Sequence, residues 1–198
     1  MRALYARLRG RLSEPVAGLV TRTGLRRGFA ELIVLPGADF LADGAEIYRR
    51  VPVRHAVLTG VDPGLVAAIA ASGLLARLSS LDLSDNPIGD AGVRALVTSP
   101  HLGKVRWLGL EGCGIGIDGA EALAAAASQV LPNLRYLRFG GNAVDLVPHG
   151  EGWDAVSGQG PVDVHLPELG VRLDERYGPF PWLDARLAWT DFVDFTHV

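Results

Sequence analysis

Cysteine and lysine are nearly absent from this chain of 198 residues, which holds Cys113 and Lys104 alone of each type. A lone cysteine excludes an internal disulfide framework, so packing and hydrogen bonding must hold the fold together. Long apolar runs are missing as well. The apolar residues nearest the N-terminus, Leu4, Leu8 and Leu12, are interrupted by Arg2, Arg7, Arg9 and Arg11, which fits neither a membrane span nor a signal peptide and leads us to expect a cytoplasmic protein. Their spacing suits a capping helix better than a membrane-surface helix, because the apolar stripe is narrow and short. A strong net charge is lacking too, but the value of −3 conceals an asymmetry: residues 1–30 carry seven arginines against Glu14, and residues 145–198 carry ten acidic groups against Arg172, Arg176 and Arg186. The simplest reading is two solvated ends of opposite sign, since exposed ion pairs are weak. Nucleic acid is not an expected partner, because the basic segment lacks interleaved aromatics beyond Tyr5 and the chain is acidic overall. Arginine in place of lysine, with much alanine and glycine, suggests a GC-rich bacterial gene.

What is present is a phrase written three times. Leu78, Leu81, Leu83, Asn86 and Ile88 return as Val105, Leu108, Leu110, Cys113 and Ile115, and again as Leu134, Leu137, Phe139, Asn142 and Val144, at spacings of 27 and 29 residues. In each copy the middle pair alternates with polar positions, as in a short strand with one face inside. The position after it takes Asn, or the small Cys113, where a side chain can bond backbone that a tight turn leaves unpaired. Alanine-rich helical stretches follow, near 91–98 and 118–129. Weaker copies precede these: Val53, Ala56, Leu58 and Val61 with a helix near 63–71, and Phe29, Leu32, Val34 and Gly37 with a helix near 38–50. With 48% hydrophobic content, five such units can stack into a single elongated domain. We divide it into an N-terminal cap (1–28), repeats (29–147), a Gly-rich loop (148–161), and a C-terminal cap with an aromatic tail (162–198).

The skeleton resembles that of leucine-rich repeats, and the stretch "LSSLDLSDNPIGDAGVRALVTSPHLGKVRWLGLEGCGIGIDGAEAL" resembles their ribonuclease-inhibitor-like subtype. The lead-in "LRRGFAELIVLPGADFLADGAEIYRRVPVRHAVLTG" and the later "LDERYGP" are similar to bacterial repeat proteins that carry a repeat-companion segment, here missing or reduced to residues 1–14. The resemblance implies a right-handed α/β solenoid, a horseshoe with parallel strands on the concave face and helices on the convex face. It also implies a non-enzymatic protein-binding or scaffold role, or a regulatory or accessory role toward an enzyme, like the GTPase activators of this subtype.

The repeat register then sorts the candidate sites. Gly114, Gly116 and Gly119 spell a G-x-G-x-x-G dinucleotide fingerprint, yet Gly116 aligns with Gly89 and Gly119 with Gly92, and no acidic residue ends the next strand, so no cofactor is expected. His149, Glu151, Trp153, Asp154 and His165 match no closed zinc pattern, so no metal is expected. Cys113 belongs to the turn skeleton and is poorly placed as a nucleophile. No catalytic residue is expected. On the concave face, one column should run Glu31, His55, Ser80, Trp107, Tyr136; the next Ile33, Val57, Asp82, Gly109, Arg138; and the third Leu35, Thr59, Ser84, Glu111, Gly140. Exposed Trp107 and Tyr136 beside Arg138 and Glu111 have the composition of an interface hot spot. We therefore expect a protein or peptide to bind at His55, Asp82, Trp107, Glu111, Tyr136 and Arg138. Trp153 in the loop and Trp189 and Phe192 in the tail are further candidates, although the tail equally suits a cap over the last coil.

Overall fold

The computed structural model describes residues 10–143, 145–149, 152–157 and 164–166, with side chains for 10–126 and 129–143. Six strands form one sheet in chain order: β1 (Arg22–Arg26), β2 (Phe29–Pro36), β3 (His55–Thr59), β4 (Ser80–Asp82), β5 (Trp107–Gly109) and β6 (Tyr136–Arg138). From β2 to β6 every neighbour is parallel, as it must be when each strand is followed by a helix that carries the chain back. Those helices are α1 (Gly37–Arg50), α2 (Pro63–Ala71), α3 (Gly89–Val97) and α4 (Ile117–Val130). They pack side by side in the same order. Between the two layers lies one apolar core, to which β4 contributes Leu81, β5 Leu108 and the helices Phe40, Ile47, Val66, Ile69, Val93, Leu96 and Leu123.

The helices begin where local chemistry allows. Asp62 caps α2, its Oδ1 accepting from the N–H of Leu65 at 2.7 Å, with Pro63 in the first turn where a missing N–H costs nothing. Gly37 opens α1 because a Cβ there would press on Val61 Cγ2 at 2.6 Å. The α1 helix is tied to a later unit by Tyr48, whose hydroxyl donates to the carbonyl of Leu74 at 2.7 Å beneath the guanidinium of Arg77.

Stacked units are stitched by the turn residues. Asn86 donates through Nδ2 to the carbonyls of Leu58 (2.9 Å) in the preceding unit and Leu83 (2.8 Å) in its own, and accepts at Oδ1 from the N–H of Val61 (2.8 Å). Asn142 repeats this two units on, donating to Leu110 and Phe139 and accepting from Cys113 and Ile115. Cys113 supplies only the donor half: its Sγ reaches the carbonyl of Leu83 at 3.1 Å. Burial pushes this thiol up to about 11. Its place is structural.

Two sequence expectations need correction. In the first unit the inward residues are Ile33 and Leu35, both fully buried, while Leu32 and Val34 lie on the opposite face and Phe29 is 56% exposed. Both faces of β2 carry apolar residues, so alternation cannot fix its parity; pairing Leu32 with His55 and Val34 with Val57 does. Within the expected N-terminal cap, β1 pairs antiparallel with β2 across a two-residue turn, Arg27 and Gly28, both at positive φ (51° and 83°). This is the left-handed geometry that matches the twist of a hairpin. In the segment 148–161, expected as a loop, the backbone instead runs as strand over Gly152–Ser157, the middle of a three-stranded antiparallel sheet of β7 (Asp145–His149), β8 (Gly152–Ser157) and β9 (Val164–Leu166).

Candidate functional site

The sheet face turned away from the helices is built of three columns. Backbone pairing places Leu32, His55, Ser80, Trp107 and Tyr136 in the first, and Val34, Val57, Asp82, Gly109 and Arg138 in the second. A third follows from Pro36 paired with Thr59, and further along from hydrogen bonds between Asp85 and Glu111 and between Gly112 and Gly140. Glu31, Ile33 and Leu35, expected in these columns, are not members: each is displaced by one residue. From β3 onward the expected register is the observed one.

The face is less open than its composition suggests. Trp107 is only 2% exposed, against the expectation of an exposed aromatic. The reason lies two residues on, at Gly109, where a Cβ would meet Trp107 Cη2 at 2.6 Å and collide with the carboxylate of Asp82. The indole therefore lies back along its own strand, in the slot that the missing side chain leaves. Asp82, 8% exposed, borders the same slot and accepts from the N–H of Ser84 at 3.0 Å. Leu32 is covered in the same way over Gly24, its partner on β1. Half-buried Tyr136 and the exposed Arg138, which pairs with Glu111, make the accessible part of the patch. Of the other expected residues, Trp153 lies in β8, where the backbone alone is described, and Trp189 and Phe192 lie outside the described residues.

His55 behaves differently from the rest. It is 5% exposed, and burial first, then Arg26 and Arg54, lower its pKa to about 4. It lines a pocket of about 510 Å³ with Arg26, Arg27, Arg54, Arg106, Ser79 and Glu31. Sequence reasoning missed this pocket. Its signal was the position just before each outward column, which reads Glu31, Arg54, Ser79, Arg106 and Arg135 and is held in line by backbone hydrogen bonds from one unit to the next. A second basic pocket of about 540 Å³ adjoins it through Arg54, lined by Tyr48, Arg49, Arg50, Arg77 and Lys104.

The glycine fingerprint is absorbed by stacking. Gly116 donates its N–H to Asp90 Oδ1 of the preceding unit at 2.6 Å, and a Cβ on Gly119 would meet Ile115 at 2.6 Å. A carboxylate thus occupies the start of α4, where a dinucleotide would need its pyrophosphate. Among the described residues no group of three His, Cys, Asp or Glu is disposed to hold a metal ion. None of the described helices is long and apolar enough to cross a membrane.

Comparison with known proteins agrees with the repeat architecture. A family described as Leucine Rich repeat matches residues 78–97, the unit holding Leu81, Leu83 and Asn86. A stretch of 57 residues, 27% of the chain, is 47% identical to Ran GTPase-activating protein 1 of Xenopus laevis and covers 10% of that relative. The chain matches only about a tenth of that protein's length. The parallel ladder, the Asn turns and these matches together support a leucine-rich-repeat architecture.

Proposed function

We propose that this chain is a non-enzymatic protein-interaction module of the ribonuclease-inhibitor-like subtype, acting as a scaffold in a bacterial cytoplasm. A protein or peptide segment would lie on the concave sheet face. The observation that carries this reading is the composition along that face: apolar Val34 and Val57 at one end, Ser80 and Ser84 in the middle, and Tyr136 with the Glu111–Arg138 pair at the other. A rigid aromatic beside an arginine is the pairing that dominates binding energy in protein interfaces. Trp107 acts as the floor beneath this patch, so it is not the residue to test first.

A partner captured from the native host should be released by Tyr136→Ala and by Arg138→Glu, with circular dichroism unchanged. Retention of wild-type affinity by both variants would remove the concave patch as the binding surface. The second reading is a regulatory or accessory subunit, favoured by the likeness to a protein named as an activator of the GTPase Ran. Such a role requires a GTPase partner whose hydrolysis rate rises with the concentration of this protein. A flat rate would exclude it.

A further inference from the structure

We propose that the pocket between the Arg27–Gly28 turn and the N-terminal ends of β3 to β5 binds a phosphomonoester group. It shares His55 with the first column of the sheet face, but Trp107, Tyr136 and Arg138 do not line it.

Charge is the first ground. Arg26, Arg27, Arg54 and Arg106 face one carboxylate, Glu31, among the described residues lining the pocket, so four positive groups less one negative leave an excess of three. Guanidinium groups stay charged at every physiological pH, and their planar forks match phosphate oxygens two at a time. The arginines also come from three separate stretches of chain: the hairpin end, the entry to β3 and the entry to β5. Arg54 and Arg106 are held two strands apart by the ladder, roughly 10 Å at the backbone, a span that long side chains close from both sides onto one anion.

The second ground is His55. Its Nε2 lies 3.5 Å from Arg26 Nη1; arginine has only donors, so Nε2 accepts and the proton sits on Nδ1. That Nδ1–H is buried without a hydrogen-bond partner. A buried donor left in this way is costly, and it is met by an acceptor such as a phosphoryl oxygen. The cations that disfavour a proton on His55 are the ones that favour an anion beside it. Ser79 adds a hydroxyl.

Size indicates the class of ligand. About 510 Å³ exceeds a bare phosphate and falls in the range that holds a small molecule or a phosphorylated side chain. Calorimetry on the full chain at low salt, with inorganic phosphate, free phosphoserine, a phosphoserine peptide and its unphosphorylated form as probes, tests this. Phosphoserine should bind saturably and the unphosphorylated peptide at least about tenfold more weakly than its phosphorylated form. Similar affinity for free phosphoserine and the phosphopeptide identifies a small-molecule site, and much tighter binding of the phosphopeptide identifies a protein ligand. Arg27→Gln and Arg54→Gln should each weaken binding about fivefold or more, while Arg77→Gln in the adjoining pocket leaves it unchanged. Glu31→Gln should tighten binding about two- to fivefold, a gain that a folding defect cannot produce. Absence of saturable binding by every phosphorylated probe, or equal affinity in the wild type and both arginine variants, would overturn the proposal.

Discussion

Asn86 shows how much one side chain carries in a stacked fold. It is 2% exposed and satisfies the backbone of two units at once, through Leu58, Leu83 and Val61. Asn86→Ala removes the side-chain partners of the Leu58 carbonyl and the Val61 N–H, and leaves the Leu83 carbonyl only the weak thiol donor of Cys113. At about 1–3 kcal/mol for each orphaned group, partly relieved by relaxation, the loss should be about 3 kcal/mol or more. Urea unfolding measures it, and a loss under about 1 kcal/mol would mean that water or a neighbour takes over those bonds. Cys113 marks the limit of substitution here, because a thiol donates to Leu83 but cannot serve as the strong acceptor that Asn142 provides. His55 carries a different consequence. Its pKa falls from 6.5 to about 4 in the fold, so between those values the unfolded chain takes up a proton that the folded chain refuses. Stability is therefore full above pH 6.5 and declines as pH falls toward 4, by an amount on the order of 3 kcal/mol from this group. His55→Gln should flatten that part of the pH–stability curve; a profile that still drops as steeply would assign the acid loss to other groups.

Along β5 the decisive element is the pair Trp107 and Gly109. A tryptophan at an outward sheet position would ordinarily stand clear of the sheet. Here the glycine two residues on, on the same face, lets the ring lie down. Gly109→Ala puts a methyl against Trp107 Cη2 and the Asp82 carboxylate. We expect a cost of about 1–3 kcal/mol, the usual penalty of overpacking. The indole should also become accessible, read as increased quenching by iodide relative to the wild type. Unchanged stability and quenching would show that the ring has another resting place. The same logic operates at the other end of the sheet, where Gly24 makes room for Leu32. In both places a large side chain on the outward face lies over the position where a glycine carries none.

At the scale of the molecule, each strand from β2 to β5 bonds its predecessor and its successor, so these units do not complete their own backbone hydrogen bonding. Leu108, fully buried in the middle of β5, sits at the centre of this chain of dependence. Leu108→Ala should cost about 2–5 kcal/mol. Hydrogen exchange should then lose protection in β4 and β6 as well as in β5, because neighbouring repeats share their stability. Loss confined to β5 would show that the units fold independently. Charge is likewise organised across units: an overall value of −3 coexists with a row of arginines along one edge of the sheet, since each unit adds its residue at the same height.

The repeat phrase alone settled the α/β architecture, the order of strands and helices, the structural place of Cys113 and the register from β3 to β6. It could do so because spacing repeats faithfully wherever an inward leucine alternates with a polar neighbour. In β2, where Leu32, Ile33, Val34 and Leu35 are all apolar, alternation carries no parity, and only pairing with β3 assigned the faces. The depth of Trp107 was equally hidden, because it depends on a ring crossing to Gly109 and not on any period. Most of all, the arginine pocket at His55 joins residues from a hairpin turn and four successive units. They are scattered from 26 to 106 along the chain and become neighbours only when stacking at the strand spacing sets them at one height.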